Sequence, residues 1–392
     1  MSTTPNRLMS LDAYRGFVML LLLAEVLHWQ EVAKAVPGNA FLALMGHHQS
    51  HVSWEGCALH DLIQPSFSFL VGVALPFSIA SRTAKAQTRS QMIRHAFGRA
   101  LILIVIGIVL RSRDHPQTYF TFEDTLTQIG LGYSALFLLG RCSWRAQWIA
   151  FGVIAIGYWA AFALYPTPPP GFDTRTVGVA PEWPHHLSGF AAHWEKNTNL
   201  AMRLDGWFLN LFPREERFVF NRGGYATLSF IPTLATMILG LLAGGVLRSE
   251  RSPQARIRWF LIVAGVFLLL GSLLGWLGIC PVVKRIWTPS WVLFSGGWCL
   301  LFLAGFYYLV DVLGKKRTVF PLVVIGMNSI AAYCLAEVVA EPVEKALYRH
   351  FGHAPFALLG AAYEPLLHGS TTLAILWAIL FWMYRRQLFL KI

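Results

Sequence analysis

The chain has 392 residues, of which 55% are hydrophobic, 14% aromatic and only 13% charged, and its mean hydropathy is +0.51. So little charge cannot keep so apolar a globule in water, which excludes a soluble enzyme and points to a polytopic membrane protein. The formal net charge of +12 falls in short clusters between apolar runs, the pattern of membrane orientation and not of a nucleic-acid face, so no nucleic-acid partner is expected.

In chain order, apolar runs of about the length needed to cross a bilayer stand at 11–29, 62–80, 97–111, 125–140, 146–164, 225–247, 259–278, 290–310, 319–340 and 371–384. They predict an all-α transmembrane bundle of about ten spans. The first run starts behind Asp12 and Arg15 and continues to a spanning length, so it reads as a retained helix and not as a cleaved signal peptide. Asp12 and Arg15 are three residues apart, on one helical face, where an ion pair can lock the helix to its neighbours. A guanidinium at that depth is also well shaped for a phosphate.

Orientation follows from the basic residues. With the N-terminus inside, six short inner segments hold 18 Lys and Arg, from Arg7 through the clusters at 82–99 and 248–258 to Lys391. The outer segments hold 13, six of them in the long loop 165–224. Both termini are therefore expected in the cytoplasm. The same topology puts every histidine except His95 at or beyond the outer face.

The densest ionisable chemistry lies between His47 and Ser78. His47, His48 and His51 precede Trp54 and Gly56, and Asp61 then leads into a run too apolar to face water. A carboxylate at the mouth of a spanning helix must find a partner. Asp61 can serve as a helix cap or as the partner of a histidine. His47 and His48 read as solvated loop residues, and His60 as a structural partner beside Asp61.

The loop 165–224 opens with clustered prolines, which favour extended backbone, and then turns aromatic and polar. It reads as a lid on the outer surface. Its tryptophans, Trp194 among them, suit interfacial depth, or they and polar neighbours such as Asn197 and Asp205 could hold a sugar. The five cysteines show no pairing pattern, and the histidines lack the spacing of a metal site. No metal is expected.

Six motifs, SLDAYRGFVMLLLL (Ser10 to Leu23), HVSWEGCALHDLIQPSFSFLVGVAL (His51 to Leu75), TLTQIGLGY (Thr125 to Tyr133), GGYATLSFIPTLATMILGLLAG (Gly223 to Gly244), PVVKRIWTPSWVL (Pro281 to Leu293) and GMNSIAAYCLAE (Gly326 to Glu337), together resemble the heparan-α-glucosaminide N-acetyltransferase family and its bacterial relatives. The resemblance implies a single transmembrane acyltransferase domain over 1–392 in a bacterial inner membrane. Such an enzyme takes acetyl-coenzyme A from the cytosol and delivers the acetyl group to a periplasmic amino sugar or oligosaccharide; a homodimer is possible. It also implies site residues. The family's active histidine falls on His51, with Trp54 and Gly56 completing its motif, and its Asp-Leu on Asp61 and Leu62. Asp12 and Arg15 match its first-helix motif, and Asn328 and Ser329 its late Asn-Ser. Coenzyme contacts are assigned to Asp12, Arg15, Gln128, Asn328 and Ser329. Acceptor contacts are assigned to Glu25, Trp54, Trp194, Asn197 and Asp205, with Glu25 standing about where the family carries an Asn.

Acyl transfer needs the attacking group deprotonated, and imidazole is the side chain best matched to that task near neutral pH. His51 could act as the base in a ternary complex or carry the acetyl group itself. The rival reading is a solute transporter or flippase in which Glu25, His51 and Asp61 couple protons.

Overall fold

The computed structural model describes residues 8–390 and shows a membrane helix bundle. Arg7 and Lys391, counted with the inner charge, lie outside the described residues. Regular structure is helical throughout, apart from one isolated antiparallel bridge between Glu55 and Val283. Among the described residues, seven helices are long and apolar enough to cross a membrane: Leu59–Ala84, Arg89–Arg111, Trp144–Ala163, Thr227–Arg248, Pro253–Trp276, Pro289–Val312 and Ala361–Arg385. An eighth is reached if Phe320–Gly326 and Ser329–Phe351, bent by 81° at the intervening break, count as one.

That total of seven or eight corrects the expectation of ten. The run at 125–140 is the 15-residue helix Thr125–Leu139, roughly 22 Å long at 1.5 Å per residue and short of a ~30 Å hydrocarbon core. Its start is fixed by Asp124, whose carboxylate accepts from the N–H groups of Leu126 and Thr127 at 2.9 and 3.1 Å. The run at 11–29 is the 15-residue helix Met9–Leu23, which tightens into a 3₁₀ turn at Ala24–Leu27 and stops where His28 turns left-handed, with φ of 50°. Hydrophobic length registered these segments without registering where their helices end.

Two units divide the chain. One comprises residues 1–52, 57–63 and 302–391, the other residues 53–56 and 64–301. In the first unit the helix Met9–Leu23 crosses Phe320–Gly326 at backbone contact. A Cβ on Gly16 would lie 1.7 Å from the Leu322 carbonyl oxygen, and one on Gly326 would lie 1.8 Å from that of Asp12. Small residues permit such approach in a bilayer, where packing replaces hydrophobic expulsion as the driving force. Beside this crossing Tyr14 stacks on Phe306 at 5.5 Å.

The second unit repeats the device. Gly72 on Ile63–Ala84 rests on the Met237 carbonyl of Phe230–Arg248, and Gly240 on that of Phe69, each with 1.9 Å to a hypothetical Cβ. The most apolar 18 residues of Thr227–Arg248 are 83% buried, whereas those of Arg89–Arg111, Trp144–Ala163 and Pro253–Trp276 are 22% buried. The first is therefore the central helix of this unit, and the other three present apolar side chains outward, as lipid-facing helices do. The segment 165–224 is folded. It contains the 3₁₀ turns Thr174–Val177 and Gly189–Trp194 and the helix Leu200–Phe208, and packs Trp194 and Ala201 against Tyr158 and Phe162.

Gly16→Ala and Gly326→Ala are expected to lower the melting temperature in detergent sharply, because the added methyl meets backbone that cannot yield. Gly265→Ala, whose methyl would meet nothing within 4 Å, is expected to change stability by less than about 1 kcal/mol. Equal shifts for all three would show that the close crossings carry no special weight.

Candidate active site

Asp61 lies in the 3₁₀ turn Leu59–Leu62 that leads into the helix Ile63–Ala84, and its side chain is 1% exposed. Oδ1 lies 2.8 Å from His51 Nδ1, and Oδ2 accepts from the backbone N–H groups of Val52 at 3.3 Å and Ala58 at 3.0 Å. The carboxylate thus ties the loop, the turn and the histidine together, acting both as a local cap and as an imidazole partner. An ionised carboxylate only accepts, so the shared proton sits on Nδ1 and Nε2 is the basic nitrogen. The His51 side chain is 38% exposed.

A second acid–histidine pair stands beside the first. His60 Nε2 lies 2.8 Å from Glu25 Oε1, with the histidine side chain 5% and the glutamate side chain 53% exposed. The rings of His60 and His51 pack with centroids 4.6 Å apart, tilted by 50°. Glu25 belongs to the 3₁₀ turn Ala24–Leu27, which a glycine contact holds in place: a Cβ on Gly369 would meet the Val26 carbonyl at 1.7 Å. The link between Glu25 and His60 spans 35 positions of sequence and left no trace there. His48, expected as a solvated residue, accepts the Leu59 N–H through Nδ1 at 3.2 Å, which fixes the start of the same turn. His47 is exposed.

The residues assigned to coenzyme divide between the two units. In the first unit Asp12 pairs with Arg15 at 3.4 Å. Asn328 sits at the break between Gly326 and Ser329, where its amide donates to Leu388 O at 2.8 Å and accepts from Leu390 N at 3.0 Å. Those bonds make it a clamp on the C-terminal segment, and Ser329 opens the helix after the break. Gln128 belongs to the second unit, where its Nε2 donates to the carbonyls of Phe122 and Thr227 at 2.7 and 3.2 Å.

Trp54 and Trp194, assigned to the acceptor, present no surface on which a sugar could stack. Trp54 and Trp194 are both 0% exposed within one apolar cluster of the second unit. Trp54 packs against Trp183 at 6.1 Å and against Gly224, where a Cβ would come within 2.6 Å of the indole. Gly56 donates to Val282 O at 3.0 Å, so Trp54 and Gly56 anchor this stretch by packing and backbone pairing. Asn197 donates to the carbonyls of Val177 and Asn221 at 2.9 and 3.0 Å. Asp205, on the helix Leu200–Phe208, accepts the Thr227 N–H at 2.8 Å.

Burial raises the Asp205 carboxyl to about 6, against the opposing hydrogen bonds from Thr227. It raises Glu123, in the loop before Thr125–Leu139, to about 7. Among the described residues no group of three or more His, Cys, Asp or Glu could hold a metal ion.

No family model matches the chain. Two curated proteins do: the heparan-alpha-glucosaminide N-acetyltransferase of Mus musculus, 22% identical over 432 residues, and that of Homo sapiens, 23% identical over 433. Each alignment covers 100% of this chain and 61% of the relative, so the chain spans about three fifths of the length of the curated relatives it matches.

A carboxyl whose folded pKa is raised keeps its proton longer in the native state, so stability falls as pH climbs from the unfolded value of about 4 through 6. Asp205→Asn retains an acceptor for Thr227 and removes the charge. Over that range it is expected to gain on the native chain, by up to about 3 kcal/mol at pH 8 at 1.36 kcal/mol per unit. Thermal melts between pH 4.5 and 8 measure this, and parallel pH profiles for the two proteins would refute it. Similarity along its whole length makes the chain a distant relative of the heparan-α-glucosaminide N-acetyltransferases.

Proposed function

We propose that the chain is a membrane acetyltransferase that moves an acetyl group from cytosolic acetyl-coenzyme A to an amino sugar or glycan on the periplasmic side of a bacterial inner membrane. The observation that carries this reading is the 2.8 Å bond from His51 Nδ1 to a buried Asp61, which orients the imidazole and sets its tautomer. In the reaction the acceptor nitrogen attacks the thioester carbonyl carbon while His51 Nε2 takes its proton. The C–S bond then breaks, and the imidazolium returns that proton to the departing sulfur. Asp61 stays ionised and stabilises the imidazolium. A ternary complex of this kind avoids an acyl-imidazole next to water.

Glu25 is the acceptor-binding group in this scheme. Its half-exposed carboxylate is steadied by His60 and draws the acceptor's amino group toward His51, an ammonium releasing its extra proton to solvent before the free amine attacks. His60 limits tilting of the His51 ring about the bond to Asp61. Of the residues assigned to coenzyme, Arg15, positioned by Asp12, has the chemistry for a phosphate, and Ser329 stands at the helix break. Asn328 and Gln128 already serve backbone groups. The segment 165–224 is the periplasmic part of the one transmembrane domain.

The 81° break before Ser329–Phe351 favours a second reading, because discontinuous helices mark transporter substrate sites. Coenzyme binding separates the two. Acetyl-coenzyme A is expected to raise the melting temperature of the acetyltransferase, since a ligand of the native state stabilises it. No shift at saturation would favour transport.

His51→Ala is expected to leave folding and coenzyme stabilisation intact while lowering acetyl transfer to glucosamine by roughly 10²- to 10⁴-fold. Activity retained in that variant would remove His51 from the mechanism. His60→Phe, which keeps the ring packing, is expected to lose less activity than His60→Ala. On a background without reactive native cysteines, a cysteine at Arg89, Pro253 or Lys316 is expected to resist an impermeant reagent in intact cells, and one at the exposed Glu182 of the loop 165–224 to react. Labelling at Pro253 would reverse the orientation.

A further inference from the structure

The second unit contains a cavity of about 620 Å³ between the proline-rich stretch 166–169, the residues preceding the helix Leu200–Phe208, and the segment Arg217–Val219. Three asparagines set its walls. Asn197, which is 4% exposed and left-handed at φ 60°, ties Val177 to Asn221 through Nδ2. Asn199 caps the helix by accepting from Met202 N at 3.2 Å. Asn210 accepts from Phe218 N at 2.8 Å and donates to the carbonyls of Phe218 and Gly206 at 2.9 and 2.8 Å, which pins Arg217 to the helix that carries Arg203.

What these walls leave over has one chemical character. Among the described residues neither Arg203 nor Arg217, both lining the cavity, has an ion-pair or side-chain hydrogen-bond partner. Arg203 also lies near the N-terminus of its helix, the positive end of the dipole, where a cation is unfavourable unless an anion joins it; the first turn holds no acidic residue. Two oxygens on residues that line the same cavity, Asn197 Oδ1 and Thr198 Oγ1, are buried without a hydrogen-bond partner. A buried acceptor left unmade is destabilising, and Asn197 Oδ1 requires a donor, because both protons of its amide are already used.

We propose that this cavity is a binding site for a small ligand carrying an anionic group on a hydroxylated scaffold, that is, a sugar acid or sugar phosphate. Arg203 and Arg217 take the anion through charge-assisted hydrogen bonds, and ligand hydroxyls donate to Asn197 Oδ1 and Thr198 Oγ1. The site involves no residue of the His51–Asp61 pair and does not depend on acetyl transfer.

Equilibrium binding to the full chain in detergent, with labelled D-galacturonate, D-glucose 6-phosphate, D-glucose and inorganic phosphate, tests this. One or both sugar anions are expected to bind at least tenfold more tightly than glucose and than phosphate, and the stronger of them identifies the anion. Arg203→Ala and Arg217→Ala are expected to weaken that binding at least tenfold. Both side chains are exposed, so melting temperatures are expected to stay unchanged, and Arg217→Gln repeats the test with a neutral amide. Glucose binding as well as the sugar anions, phosphate alone matching them, no binding by any probe, or full affinity in the arginine variants would each overturn the site.

Discussion

A carboxylate sealed from solvent must be met by donors on its own chain, and those that meet Asp61 include one imidazole nitrogen and two backbone N–H groups. Removing any of them would leave part of a charge buried and unsolvated, an expensive state at a membrane boundary. The consequence is geometric. The loop after His51, the turn at Leu59–Leu62 and the orientation of the His51 ring are one structure, fixed by one side chain. The basic nitrogen of His51 is aimed because Asp61 needs the other one.

The neighbouring Glu25–His60 pair follows the same rule with the roles reversed. Here the histidine is buried and the carboxylate is half exposed, so charge is kept toward solvent while an aromatic face supports the His51 ring. Placing Glu25 depends in turn on a turn whose carbonyl lies against Gly369. In the first unit, the position of this acid–histidine pair thus depends on a glycine that carries no functional group of its own.

Packing in both units shows why this works in a bilayer. Lipid offers no hydrophobic gain on helix association, so helices join where backbones can touch. Gly16 with Gly326, and Gly72 with Gly240, supply those contacts in reciprocal pairs. Polar side chains are spent on backbone groups that irregular segments would otherwise leave unpaired: Asn328 at the helix break, Gln128 beneath Thr227, and Asn197 in the segment before Leu200–Phe208.

Composition and run length by themselves determined an all-helical membrane protein, because of the two arrangements that satisfy a backbone in hydrocarbon, helix and closed barrel, only the helix fits continuous apolar runs of spanning length. The helix start behind Asp61 showed that its carboxylate needs either a cap or a cation, while it was the family resemblance, and not the spacing, that singled out His51 among the nearby histidines. Helix ends were another matter: the first helix tightens after Leu23 into a 3₁₀ turn that ends at a left-handed His28, and Thr125–Leu139 stops at Gly140, local events to which the apolar length of a run is blind. Trp54, Trp194, Asn328 and Gln128 were named from the sequence as site candidates, yet a residue type does not say which way its side chain points. Only the tertiary structure turned the tryptophans into core and the amides into backbone ties. It alone joined Glu25 to His60 and set Arg203 and Arg217 on one cavity, because those contacts link positions whose separation along the chain carries no periodicity to read.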